Sequence, residues 1–178
     1  MTWPGDLSAA SDFDFLIGKW RIRHTTLKER LAGCCEWEVA NAIDIVRPAF
    51  AGLGNMGHLV RMVDGQPFCG SPIRLYDPAK GLWRIWWIDT IGNRMEPPVM
   101  GRFEGDQGVF EGDDALRGNP IRVRFEWSGI SDESAVWKQF FSPDSGNSWE
   151  LNSIMEFTRD ESLPDHPQPH DVEGIFAS

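Results

Sequence analysis

The chain has 178 residues, of which 41% are hydrophobic and 25% are charged, and these proportions are typical of a single soluble globular domain. Seventeen basic and 27 acidic residues give a formal net charge of −10. Such a surface repels phosphate backbones and anionic lipid headgroups, so we expect neither a nucleic-acid partner nor a membrane partner.

The cysteines and the N-terminus indicate where the protein resides. Cys34, Cys35 and Cys69 are odd in number and two are adjacent, which fits neither a disulfide framework nor the spacing of metal ligands. Residues 1–10 are neither basic nor continuously apolar, so they do not resemble a secretory signal. We therefore expect reduced thiols, a cytoplasmic location and no metal site.

The chain begins with a lead-in, residues 1–14, that contains a short helical turn or loop. A first strand follows, in which Trp20, Ile22 and His24 alternate with three basic residues. Further alternating or β-prone segments follow, separated by turn sequences such as Asp64-Gly65. The predicted strands are 15–26, 37–45, 52–63, 73–76, 83–89, 99–104, 108–111, 120–130, 135–142 and 149–159.

The spacing of these segments predicts the fold class. Their connections are too short for the crossovers that parallel strands require, so the sheet must be antiparallel. About ten such strands favour closure, because closure removes exposed sheet edges. We therefore predict an all-β protein, a closed antiparallel up-and-down barrel over residues 15–159. Residues 160–178 contain three prolines and five acidic residues and are predicted to be a mobile, acidic, proline-rich tail.

Gly18-Lys19-Trp20 at the start of the first strand resembles the signature of lipocalins and other calycins. Three further segments of this chain carry the resemblance: 110–114, 120–125 and 155–159. The chain is similar to a bacterial lipocalin-like family of unknown function. The resemblance implies that Trp20 closes one end of the barrel and that Arg159 packs across it. The glycine-rich run and the proximal histidine of the related haem-binding nitrobindins are absent, so we expect no cofactor.

Several polar residues are candidates for a site. His24 shares a face with Trp20 and could orient a ligand or transfer a proton, although a satisfied interior histidine is the commoner case. Asp89 follows two tryptophans on the same face of its strand and could anchor a ligand or cap a turn. Asp113 and Asp114 could hold a cation, but acidic side chains at a strand-to-turn junction usually bond turn amides.

Arg122 and Arg124 alternate with apolar residues and are expected to pair with acids on the outer face, the alternative being to grip a carboxylate inside the barrel. Aromatic residues on such strands suggest an apolar lumen that holds one small molecule. The predicted ligand-binding residues are Trp20, His24, Asn55, His58, Arg74, Trp87, Trp127 and Gln139.

The leading functional hypothesis is therefore binding of a small hydrophobic or amphipathic molecule inside the barrel. The alternative is a cofactor-independent isomerase, cyclase or hydratase in which His24 or Asp89 is catalytic. A third role is assembly, in which Trp86 on the opposite face of its strand contributes to a homodimer.

Overall fold

A computed structural model describes residues 5–177 of the chain. Its sheet is a closed barrel of ten antiparallel strands, in which neighbours in sequence are neighbours in space and the last strand pairs with the first. This confirms the predicted all-β up-and-down barrel. The strands are β1 (Gly18–Leu27), β2 (Trp37–Ala49), β3 (Gly54–Val63), β4 (Gln66–Asp77), β5 (Leu82–Asp89), β6 (Val99–Glu104), β7 (Gln107–Leu116), β8 (Asn119–Ser128), β9 (Ser134–Ser142) and β10 (Glu150–Arg159).

Because the strands alternate in direction, their connections fall into two groups at opposite ends of the barrel. The end that we call the closed end also receives the chain that precedes β1, and it carries connections 50–53, 78–81, 105–106 and 129–133. The end that we call the open end carries connections 28–36, 64–65, 90–98, 117–118 and 143–149.

Three strands exceed their predicted length by four residues or more, and one of them is β2, which continues to Ala49. β4 begins at Gln66, seven residues before the predicted start, and β7 continues to Leu116. Asp113 and Asp114 therefore lie within a strand, paired in register with β8, and not at its entry into a turn. Pairing with β8 overrides the low β-propensity of this acidic pair, since strand propensity depends strongly on context.

Phe13 is the centre of the closed end. Its side chain is fully buried, and its ring centroid lies 4.9 Å from those of Trp83 and Phe103 and 5.3 Å from that of Phe110. The side-chain amide of Asn55 donates to the Phe13 carbonyl at 3.1 Å. The lead-in is thus part of the core, because its aromatic side chains fill the barrel end.

Trp20 and Arg159 also lie at the closed end, where Arg159 packs across Trp20 as the resemblance implied. The fully buried Trp20 ring donates from Nε1 to the Leu16 carbonyl at 2.7 Å. The Arg159 guanidinium carbon lies 4.2 Å from the Trp20 ring centroid, a distance at which the cation–π attraction is favourable. The guanidinium also donates to the carbonyls of Phe15 and Ile17 at 2.7 and 2.9 Å.

Gly18 makes this closure possible. Its φ of +136° is accessible mainly to glycine. A Cβ at this position would lie 2.1 Å from Nη1 of Arg159. The glycine that precedes Trp20 by two residues is therefore required by the close approach of the arginine.

The residues that follow β10 pack on the outside of the barrel. Leu163 and a short helix, α1 (Asp171–Phe176), cover Ile43, Ile45 and Val60, all of which are buried. Residues 160–177 thus differ from the predicted mobile tail, because their few apolar side chains cover an apolar outer face of β2 and β3. No helix within the described residues, α1 included, is long and apolar enough to cross a membrane.

Candidate functional site

A cavity of about 400 Å³ lies inside the barrel. This volume falls within the range of roughly 300–1,000 Å³ that is usual for small-molecule sites. Ile91 and Gly92 are exposed and also line the cavity, which places its mouth at connection 90–98 of the open end. A space of about 190 Å³ adjoins it and shares Arg30 and Glu96 with it.

Apolar side chains from β4, β5, β8, β9 and β10 form most of the cavity wall. They include Phe68, Ile85, Trp87, Phe125, Trp127, Trp137, Met155 and Phe157. The rings of Phe125 and Trp137 pack edge to face with centroids 5.0 Å apart. Such rings offer a large contact area to a planar or aliphatic ligand.

The indole of Trp87 lies directly against the backbone of Gly70, where a Cβ would come within 2.3 Å of the ring. Its Nε1 donates to Oδ2 of Asp89 at 2.7 Å. Oδ1 of Asp89 accepts the backbone N–H groups of Ile91 and Gly92 at 2.9 and 2.6 Å. Asp89 therefore holds the indole and caps the turn at the mouth, and these bonds occupy both of its oxygens.

His24 projects from β1 into the lumen, and 6% of its surface is exposed. Nη1 of Arg61 lies 2.9 Å from Nδ1 of His24; because a guanidinium only donates, we assign Nδ1 as the acceptor and place the proton on Nε2. Nε2 lies 2.7 Å from Oγ of Ser153 and 3.0 Å from Oγ1 of Thr26. Burial, followed by the positive charges of Arg61 and Arg30, lowers the pKa of His24 to about 3. His24 is thus a neutral hydrogen-bonding group at physiological pH.

We expect the imidazole of His24 to stay neutral when the pH is lowered from 8 to 5. Its folded-state pKa lies below the ordinary value of 6.5, so its contribution to stability is complete above pH 6.5 and declines as the pH falls. The measurement is the nitrogen chemical shifts of the His24 ring, whose signals are assigned by their loss in His24→Gln. These shifts should remain those of the Nε2–H tautomer from pH 8 to pH 5. A midpoint near 6.5 for these signals would contradict the assignment.

Asp44 and Arg74 form the polar floor of the cavity. They project from β2 and β4, and only 1% and 3% of their surfaces are exposed. Nη1 of Arg74 donates to Oδ1 of Asn55 at 2.9 Å, and the guanidinium lies 5.5 Å from the Phe13 ring centroid and 5.7 Å from the Trp127 ring centroid. Burial raises the pKa of Asp44 to about 6, and the positive charge of Arg74 opposes this shift.

Four buried polar atoms of the cavity lining have no hydrogen-bond partner among residues 5–177. They are Oδ1 of Asp44, Nε of Arg61, Nε of Arg74 and Nε1 of Trp127. Most buried polar groups in proteins are hydrogen-bonded. Their concentration in one cavity is what is expected of a binding site that is completed by another molecule.

The structure brings most of the predicted ligand-binding residues together. The cavity is lined by His24, Arg74, Trp87, Trp127 and Gln139. Three others lie elsewhere. Trp20 belongs to the closed end, and His58 is exposed on the outer face of β3. Asn55 is buried outside the lining and accepts a hydrogen bond from Arg74.

The ion-paired residues of β7 and β8 do not line the main cavity, although Asp113 and Asp114 line the space that adjoins it. Arg122 and Arg124 each bind Glu111, at 2.9 and 2.7 Å, and Arg122 also lies 3.2 Å from Asp113. Their interpretation as outer-face ion pairs is confirmed. Trp86 is half-buried and is also among the residues that line the cavity. Its role in a homodimer stays a prediction.

Four charged residues of the lining were missed by the sequence analysis: Arg30, Asp44, Arg61 and Glu96. Arg61 had a usable signal, because it alternates with the buried Leu59. Asp44 had none, since its neighbours Ile43 and Ile45 would be expected to face the core. Those isoleucines face outward, where the segment after β10 covers them.

Comparisons with protein-family models and with curated protein sequences do not assign a role to this cavity. No protein-family model matches the chain, and no curated protein matches its sequence.

Proposed function

We propose that the protein binds one small hydrophobic or amphipathic molecule inside its barrel. The observation that supports this most directly is the cavity of about 400 Å³, whose aromatic wall surrounds four unpartnered buried polar atoms. An apolar wall provides contact area for a ligand, and a few convergent polar groups determine its orientation. Cavities that stay empty, by contrast, are lined by apolar groups.

The structure also supports proposals for the superfamily and for the cellular location of the protein. We propose that the chain is a lipocalin-like calycin, supported by the closed ten-stranded barrel and by the stacking of Arg159 on Trp20. We also propose a cytoplasmic location, supported by the free thiols of Cys34, Cys35 and Cys69.

Native mass spectrometry of protein purified gently from a producing cell tests the binding function. We expect an additional non-covalent mass that is absent from the denatured spectrum. Leu59→Trp places a bulky indole at a lining position that is 2% exposed. The indole fills part of the cavity, so this variant should lack the extra mass. Leu7→Trp makes the same change at a position that is 43% exposed and should retain it.

Circular dichroism of both variants must first show an intact barrel, because overpacking a core costs about 1–3 kcal/mol. An extra mass that survives in Leu59→Trp would place the ligand outside the lumen. A wild-type protein that carries no mass and binds neither fluorescent probe described below would refute the binding function.

A second candidate function is cofactor-independent catalysis in the same cavity, and Asp44 favours it. A buried carboxyl group with a pKa near 6 can donate and accept protons at physiological pH. His24 and Asp89 suit this role less, because His24 stays neutral and the oxygens of Asp89 are occupied. Catalysis requires that Asp44→Asn lower turnover by orders of magnitude while substrate affinity is nearly kept.

A further inference from the structure

We propose that the ligand is an organic anion whose charged group lies between Arg30 and Arg61 at the open end, with its apolar body directed towards the closed end. This proposal rests on the proposed binding function, and it adds the charge and the orientation of the ligand.

Elsewhere in the protein, every half-buried arginine has an acidic partner. The distances from guanidinium nitrogen to carboxylate oxygen are 2.6–3.1 Å for Arg21, Arg84, Arg122, Arg124 and Arg159. The arginines outside the cavity that have no ion pair are exposed to solvent: Arg94, Arg102 and Arg117. The arginines outside the cavity thus follow the general rule that charges withdrawn from water are paired.

The arginines of the cavity depart from this rule. Arg30 and Arg61 are half-buried and Arg74 is buried, and all three line the cavity. None of them lies within 4.0 Å of a carboxylate oxygen in the described part of the chain. Withdrawing a charge from water without a counterion is costly, so the cavity favours an anion from outside.

The acidic groups of the lining do not supply this counterion. Asp89 is occupied by Trp87 and by turn amides. The carboxylate oxygens of Glu96 and Asp44 lie more than 4.0 Å from the guanidinium nitrogens of the lining. The arginines of the lining therefore have no acidic side chain in direct contact with them.

Arg30 and Arg61 are the accessible pair. Arg74 is 3% exposed and is bound to Asn55, whereas Nη2 of Arg61 and the nitrogens of Arg30 have no partner among the described residues and are not sealed from solvent. The guanidinium of Arg61 lies 4.8 Å from the Phe68 ring centroid, and that of Arg30 lies 5.4 Å from the Phe141 ring centroid. Both groups are thus held by aromatic faces with free donors, the arrangement that suits an oxyanion.

The wall below these groups determines the orientation of the ligand. Phe68 pairs in register with Arg61 near the open end. From there the lumen continues past Trp127, whose ring centroid lies 6.0 Å from that of Phe13 at the closed end. An apolar body inserted in this direction is desolvated, while the charged group stays near the mouth where Arg30 and Arg61 meet it.

Two fluorescent probes test the proposal, because they differ only by a sulfonate. These are 1-anilinonaphthalene-8-sulfonate, an anion, and N-phenyl-1-naphthylamine, its neutral counterpart. We expect the anion to bind the wild-type protein about tenfold more tightly than the neutral probe. Arg30→Gln and Arg61→Gln should each weaken binding of the anion about tenfold and change binding of the neutral probe less than about twofold.

Two further variants act as controls. Arg102→Gln removes an exposed positive charge outside the cavity and should leave both affinities unchanged. Glu96→Gln removes a negative charge from the lining and should strengthen binding of the anion only. Circular dichroism establishes that each variant is folded.

The outcomes separate this proposal from the binding function. Tight binding of the neutral probe without preference for the anion, or equal effects of the arginine variants on both probes, would overturn the proposed charge and leave binding intact. Failure of both probes to bind the wild-type protein would refute the binding function and the present proposal together.

Discussion

Replacing Phe13 with alanine is expected to lower the free energy of unfolding by about 3–5 kcal/mol. The side chain is fully buried and packs against Trp83, Phe103 and Phe110 from three strands. Removing it leaves a cavity that these large rings cannot fill, because each is held by its own strand. Urea denaturation followed by circular dichroism measures the change.

Phe50→Ala is the matched control, since this phenylalanine is 43% exposed and should cost less than about 1 kcal/mol. Equal losses in the two variants would show that the lead-in does not fill the closed end. Phe13→Ala also bears on function, because the Phe13 ring centroid lies 5.5 Å from the Arg74 guanidinium at the floor of the cavity.

Replacing Asp44 with asparagine is expected to stabilise the protein at neutral pH relative to the wild type. The folded-state pKa of Asp44, about 6, lies above its ordinary value of 3.8. Between these two values the folded state binds more protons than the unfolded state, so Asp44 destabilises the fold as the pH rises. At 1.36 kcal/mol per pKa unit, the difference accumulates to about 3 kcal/mol by pH 7.

The measurement is the difference in unfolding free energy between Asp44→Asn and the wild type, from pH 4 to pH 7. We expect this difference to increase in favour of the variant over that range. His24 acts with the opposite sign, because its pKa is lowered, but it is present in both proteins and cancels in the difference. A difference that does not change with pH would show that Asp44 is not a buried, perturbed carboxyl group.

A carboxyl group that destabilises the fold at the floor of a cavity suggests that stability is reduced there in favour of function. Strongly perturbed titratable groups are concentrated at functional sites, and active or binding sites often reduce stability. Asp44 is therefore the first residue to examine if the cavity proves catalytic. The organic-anion proposal and catalysis are compatible, since Asp44 lies at the floor and the arginine pair lies at the mouth.

The order of the strands and the closure of the barrel could be predicted from the sequence. Turn residues divide the chain into short segments, and short connections permit only antiparallel neighbours. Within single strands the inward set was also recoverable where apolar residues alternate strictly, as for Trp20, Ile22 and His24 in β1 or for Trp83, Ile85 and Trp87 in β5. These features depend on local geometry, which period-2 patterns encode directly.

The inward face of β2 and the pairing of charges were decided by tertiary structure. Ile43 and Ile45 are more hydrophobic than Asp44, yet they face outward, because Leu163 and α1 cover them from a segment more than a hundred residues later in the chain. Arg61 and Arg122 look alike in sequence, but only Arg122 meets a carboxylate across strands. Burial and charge balance depend on contacts between distant segments, so the barrel was encoded locally and its polar cavity was determined only when the segments packed together.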